Sequence, residues 1–233
     1  MNEAVIFESQ FKDSRWTDPV WTNWSIKDSY NDDALDCSYD GKIYLSQELK
    51  FGKKKNYFYR YQLARFPPDI KDKKKVETFS FCYSDTAKYN FVTPFAVSQK
   101  EILFSSDMPG GFGGYDLWKS VYDEQSKSWS KPENLGPDIN SYDNEQFPYV
   151  RTDGSLYFAS DRIEGMGGYD IYRAAQTAAG KWSNPENMKY PVNSPAEDWG
   201  IIFEGEKEKG FFISNRQGGK GGFDIYSFEL LPK

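Results

Sequence analysis

Bulky and polar side chains alternate along this chain in short bursts, and none of the bursts repeats its apolar positions at helical spacing. Leu156-Tyr157-Phe158-Ala159 is one such burst, and Asp170-Ile171-Tyr172-Arg173 is the next. Between them lies the glycine-dense segment SDRIEGMGGY. The whole stretch, FASDRIEGMGGYDIY, has two relatives in the same chain, FSSDMPGGFGGYDLW and FISNRQGGKGGFDIY. Their first phenylalanines stand at 104, 158 and 212, so each copy begins 54 residues after the last. Internal periodicity of this kind outranks local propensity as a guide to the fold.

The 54-residue unit extends beyond its glycine loop. A Trp-x-x-Pro step follows two of the loops, Trp129 to Pro132 and Trp182 to Pro185; both continue as Pro-Glu-Asn and reach a later asparagine, Asn140 and Asn193. Ahead of the three loops stand NFVTPFAV, EQFPYV and DWGIIFEG, each a candidate strand. The unit around the second loop therefore predicts four short strands: Tyr149-Val150, Leu156–Ala159, Asp170–Arg173 and one at Trp182, with reversals at Thr152-Asp153-Gly154 and Gly180. A four-stranded unit at this spacing predicts an all-β chain, a small propeller of antiparallel blades, four favoured and five possible.

The flanks carry weaker copies. SYNDDALDCSYDGKIYLSQ from Ser29 is similar to SYDNEQFPYVRTDGSLYFAS from Ser141, but it leads into FGKKKNYFYRYQLARF instead of a glycine loop. AVIFESQFKDSRWTDP near the start matches DIYRAAQTAAGKWSNP, the second half of a unit, whereas the chain's last unit stops after its third strand at FDIYSFELLPK. One propeller domain over 1–233 is expected, divided as a degenerate blade (29–88) and three regular ones (89–142, 143–196, 197–233), with the hairpin of 1–28 supplying a strand that completes the last blade and closes the ring.

In each regular loop an aspartate follows the paired glycines: Asp116 after Gly114, Asp170 after Gly168, Asp224 after Gly222. Glycine permits close backbone approach, and aspartate accepts bonds from loop amides, so a structural role is expected. Arg162 and Arg216 are expected to add a charge partner to those aspartates; Met108 takes that place in the first copy, so the amide bonds should suffice. A weak calcium or sugar site is the rival reading, disfavoured because each loop offers only one or two carboxylates.

Composition removes further possibilities. Aromatic residues make up 18% of the chain, although the mean hydropathy is −0.77. There is no histidine, which excludes imidazole-based nucleophile systems and imidazole metal ligands. Cys37 and Cys82 are the only thiols and are expected to be free and buried. No metal or cofactor is expected. No apolar run is long enough to span a bilayer and no secretory leader is evident, so a mature fragment is expected.

The net charge is −6, yet the segment from Lys50 to Lys75 carries ten basic residues against two acidic ones. Its lysines and aromatics, Lys53, Lys54, Lys55, Tyr57, Tyr59, Lys73, Lys74 and Lys75, are the candidate docking surface for an acidic partner or an anionic glycan. The bland reading is a solvated hairpin. Nucleic acid is disfavoured by the acidic remainder. The catalytic alternative is a glycosidase with paired carboxylates at the propeller funnel, for which Asp36, Glu145 and Asp198 are the candidates because they precede or begin inner strands.

The unit FASDR-x-x-G-x-GG-x-DIY, followed by W-x-x-P-x-N-[LM] and a later asparagine, resembles the TolB-like propeller repeat of the WD-repeat superfamily. In particular it resembles the repeats of OmpA-family, PorE-type proteins of bacteria with type IX secretion and gliding machinery. The resemblance is strong from about Tyr89 onward and weak before it. It implies a non-enzymatic scaffold of a cell-envelope complex, periplasmic and associated with the outer membrane, that docks other envelope proteins. A propeller glycoside hydrolase or glycan-binding module is the alternative.

Overall fold

The computed structural model describes residues 7–13, 15–21, 35–37, 43–53, 56–66, 77–79, 81, 88–178 and 180–231. All its regular structure is strand, and no helix among the described residues is long and apolar enough to cross a membrane. Four antiparallel sheets follow one another along the chain. The degenerate blade holds β5 (Leu35–Cys37), β6 (Ile43–Lys53), β7 (Asn56–Phe66) and β8 (Glu77–Thr78) in that order. The second blade holds β9 (Phe91–Ser98), β10 (Glu101–Ser106), β11 (Asp116–Asp123), β12 (Ser128–Trp129) and β13 (Glu133–Asn134), with the last two both pairing with β11. The third runs β14 (Glu145–Val150), β15 (Leu156–Ser160), β16 (Asp170–Ala174), β17 (Glu186–Asn187), and the fourth β18 (Asp198–Phe203), β19 (Lys209–Ser214), β20 (Asp224–Glu229). The inner strands β5, β9, β14 and β18 neighbour one another in chain order, which fans the sheets around an axis as in a propeller.

Alternation along the middle strands explains why the sheets stack. Phe104 of β10 faces back into a core with Tyr44, Leu63 and Phe81, while its neighbour Leu103 faces forward onto Leu156 and Phe158. Tyr157 then faces forward onto Ile201, Phe203 and Phe212. The second and third sheets thus each contribute opposite faces to two separate cores, as a period of two requires. The tryptophans of the Trp-x-x-Pro steps seal the outer ends: Trp129 packs on Phe79 at 5.1 Å, and Trp182 packs against the next core.

In the third blade the fourth strand differs from its expected position: it is Glu186-Asn187, and Trp182 makes only an isolated bridge to Gln176, whereas in the second blade Ser128–Trp129 and Glu133-Asn134 both pair with β11. The recurring asparagines explain this choice. Asn140 takes the Leu117 N–H (2.8 Å), donates to the Leu117 carbonyl (3.1 Å) and donates to the Asn134 side chain (2.8 Å). Asn193 repeats all three contacts on Ile171 and Asn187. A buried amide that satisfies three partners pins the short outer strand to the third one.

Residues 7–21 form two small ladders of their own. β1 (Phe7–Glu8) pairs with β4 (Val20–Trp21), and β2 (Phe11–Lys12) pairs with β3 (Arg15–Trp16). Among the described residues none of these strands pairs with β20; the hairpin meets the last blade through Trp16, whose ring lies 5.8 Å from Phe211. The edge strand was expected from 1–28, of which 1–6, 14 and 22–28 lie outside the described residues.

Candidate functional site

At the end of the propeller where the inner strands begin, the first two glycine loops dock on the start of the following blade. The Gly114 N–H donates to the Asp143 carbonyl (2.9 Å), Tyr115 N–H to the Asn144 side chain (2.9 Å), and Glu145 N–H returns to the Tyr115 carbonyl (2.6 Å). Asn144 is in turn clamped by Asp161, N–H to Oδ1 at 2.8 Å and Nδ2 to Oδ2 at 2.9 Å. The degenerate blade reaches the same result without glycines: Tyr61 of β7 donates to Asn90, which Asp107 clamps in the same two-bond manner. At the last joint Glu197 replaces the asparagine. Its N–H donates to Asn215 (2.8 Å), while its side chain lies against Gly168.

Tyr169 sits in the middle of this last joint. Burial, and then the carboxylates of Asp161, Glu145 and Glu197, push its hydroxyl above its ordinary pKa, so it stays a protonated donor at neutral pH. Its ring packs 4.7 Å from Trp199, which reaches Phe147 at 5.0 Å and Phe223 at 5.5 Å. An aromatic platform flanked by carboxylates thus lies at the axial mouth. Below it the inner strands carry equivalent bulges, with Thr93 (φ 49°), Phe147 (φ 53°) and Gly200 (φ 46°) all left-handed. Only the glycine adopts that conformation freely; Thr93 and Phe147 hold strain of the kind that collects at functional sites.

The aspartates of the glycine loops accept loop amides. Phe112 N–H donates to Asp116 Oδ2 (2.8 Å), Met166 N–H to Asp170 Oδ2, and Lys220 N–H to Asp224 Oδ2 (2.8 Å). Burial raises Asp116 to about 6, with Glu145 adding to the rise and the amides of Phe112 and Gly113 opposing it. Asp170 is raised by burial in the same way.

Arg162 and Arg216 do not pair with these aspartates, which corrects the expectation. Arg162 bonds to Glu145 at 3.1 Å and Arg216 to Asp198 at 2.6 Å, and both carboxylates are fully buried. Glu145 also accepts from Ser141 and Ser160, and Asp198 from Ser194. These two carboxylates bind the blade together and are not open to a substrate, so they cannot be the acid pair considered from the sequence. Asp36 lies in β5. Sequence reasoning passed over Asp161, Tyr169, Glu197 and Trp199; the signal was there, since Tyr169 and Tyr115 recur 54 residues apart and Glu197 breaks the asparagine pattern.

Of the eight docking candidates, three fall on described residues. Lys53, Tyr57 and Tyr59 lie on the long β6–β7 hairpin, where Gly52 is opposite Tyr57 and Lys50 opposite Tyr59. Lys54, Lys55, Lys73, Lys74, Lys75 and Cys82 lie outside the described residues. No cluster of potential metal ligands occurs among the described residues.

No family model matches the chain, and no curated protein does. Similar solved structures include a glycoside hydrolase described as GH43_12 from capybara gut metagenome, at 15% identity and TM-score 0.48, covering 86% of this chain and 40% of that one. They also include an α-L-arabinofuranosidase from Lactobacillus brevis, at 12% identity and TM-score 0.45, covering 95% and 71%. A thermostable family-43 glycoside hydrolase follows at 12% identity and TM-score 0.44, covering 84% and 70%. The chain therefore spans well under half the length of the first of these. None of the three is a TolB-like or PorE-type protein and no family model matches one, which corrects the resemblance drawn from the repeat motif and the non-enzymatic envelope scaffold that rested on it. What the chain shares with them is the all-β propeller fold.

Proposed function

We propose that the chain is a propeller glycoside hydrolase that seats a saccharide at the axial mouth, over Tyr169 and Trp199, with Asp161 and Glu197 as its working carboxylates. The observation that carries the reading is the Tyr169 joint, where an aromatic platform for the apolar face of a sugar ring stands between two half-buried acids. Glycoside hydrolysis needs one carboxyl group to protonate the leaving oxygen and another to act on the opposite side. Glu197 alone among the joint residues replaces an amide with an acid, which suits it to the proton-transfer role. Asp161 is oriented by its two bonds to Asn144, and the protonated Tyr169 hydroxyl supplies a hydrogen-bond donor beside both.

A panel of 4-nitrophenyl glycosides that includes the α-L-arabinofuranoside tests the reading. Turnover is expected with at least one member, falling by about a hundredfold or more in Glu197→Gln and in Asp161→Asn without loss of the folded state. No turnover across the panel, or turnover untouched by both substitutions, would refute it.

A further inference from the structure

Between three inner strands and the face of the last blade lies a chamber of about 410 Å³, and its chemistry differs from that of the joint. Pro94 and Phe95, Phe147 and Pro148, and Ile201 and Ile202 bring one stretch from each of three inner strands to its wall. Phe211, Ile213 and Ile225 of the last blade complete it, and no lining residue is charged. The two hydroxyls that line it are engaged by protein partners. The Thr93 hydroxyl bonds the Ser105 hydroxyl (2.8 Å) and takes the Phe147 N–H (3.2 Å), the Thr93 N–H goes to Ser46 (2.9 Å), and the Tyr149 hydroxyl takes the Phe203 N–H (3.4 Å). A sugar, with a hydroxyl on nearly every carbon, would find few partners here and would lose its water.

We propose that this chamber is a binding site for an uncharged apolar group, admitted past Ile202 and Ile225, with Trp16 of the N-terminal hairpin packed on its wall residue Phe211. Its volume is within the range of ordinary small-molecule pockets. Ile202 and Ile225 are 53% and 75% exposed, an apolar rim that a ligand would cover. Trp16 rests on the lining residue Phe211, and its hairpin is braced by Phe11 at 5.3 Å and by three bonds between residues 9–10 and Thr17. Phe147 belongs both to the chamber wall and to the aromatic platform of the mouth, so the two spaces adjoin. Binding of an apolar group stands without the hydrolytic reading; identifying that group as the aglycone of a glycoside rests on it.

Titration with N-phenyl-1-naphthylamine, a neutral apolar fluorophore, tests the inference. Saturable one-to-one binding is expected, weakened about tenfold or more by the double substitution Ile202→Asp and Ile225→Asp, which places charge at the rim. Both positions are exposed, and a circular-dichroism melt checks that the variant folds. Trp16→Ala should weaken binding by about threefold through lost contact area. Glu197→Gln should bind the probe as tightly as the parent protein. Non-saturable binding, full affinity in the rim variant, or loss of affinity in Glu197→Gln would overturn the assignment. Saturable binding without turnover of any glycoside would refute the hydrolytic reading and leave this one standing.

Discussion

Arg162 and Arg216 each neutralise a fully buried carboxylate, and the second blade does without the arrangement: Phe91 stands where Glu145 does one repeat later, and Met108 stands where Arg162 does. Both replacements are buried in the core behind that blade. One repeat therefore solves with two apolar side chains what its neighbours solve with an ion pair, an exchange that buried pairs tolerate well only when both partners change. Arg162→Met alone should cost about 3–5 kcal/mol, because it leaves Glu145 charged and buried, whereas the double variant Glu145→Phe, Arg162→Met should recover most of that. Urea denaturation of the single and double variants measures the difference. Equal losses in both would contradict the equivalence of the repeats.

Asp116 adds a pH-dependent contribution at the same scale. Its folded-state pKa of about 6 lies above the unfolded value of 3.8. The folded chain therefore holds this proton more tightly, and the contribution to stability is full below the unfolded value and is lost as pH rises through about 6. Asp116→Asn keeps an acceptor for the Phe112 amide and removes the buried charge. It should be more stable than the parent at pH 8, by on the order of 1–2 kcal/mol, and gain little at pH 4. Thermal melts of both proteins at the two pH values, read as a difference, isolate this group from the carboxylates of Glu204 and Glu208, whose pKa values are lowered by their ion pairs.

At the scale of the element, the glycine loop shows how one motif serves two situations. A Cβ on Gly113 would come 2.3 Å from the Asp143 carbonyl oxygen, and one on Gly167 would come 2.1 Å from that of Ala196, because these loops press against the next blade. Gly221 and Gly222 have nothing within 4 Å among the described residues. Gly167→Ala should thus lower stability by about 2 kcal/mol or more, and Gly221→Ala by less than about 0.5 kcal/mol. Differential scanning calorimetry of the pair checks it, and equal effects would show that the glycines serve the loop's own turn.

Much of this element was legible in the chain. The middle strand, the third strand and the loop between them fall where the alternation and the glycines put them. Two features were not. The arginines were assigned to the aspartates of their own glycine loops, whereas the sheet brings Glu145, fifteen residues before Ser160, directly opposite it. The fourth strand of the third blade was assigned to Trp182, although the asparagine clamp selects Glu186-Asn187 there. Both depend on partners set by pairing register, which local pattern does not reveal.

For the whole molecule, the repeat places equivalent residues around one axis, and function follows from where equivalence fails. Asn90 and Asn144 give way to Glu197, and the last blade meets the hairpin of Trp16 through Phe211 and leaves Ile213 and Ile225 exposed. The acids singled out from the sequence, Glu145 and Asp198, occupy equivalent positions and do equivalent structural work, whereas the proposed site is assembled from the irregular positions beside them. The strained backbone at Thr93 and Phe147 points to the same end of the axis.

The most direct measurement is a crystal structure of the chain with the oligosaccharide that it turns over or binds best. The account predicts sugar density stacked on Tyr169 and Trp199, with oxygens within hydrogen-bond distance of Asp161 and Glu197. Density confined to the grooves between blades or to the β6–β7 hairpin, with the axial mouth empty, would contradict it.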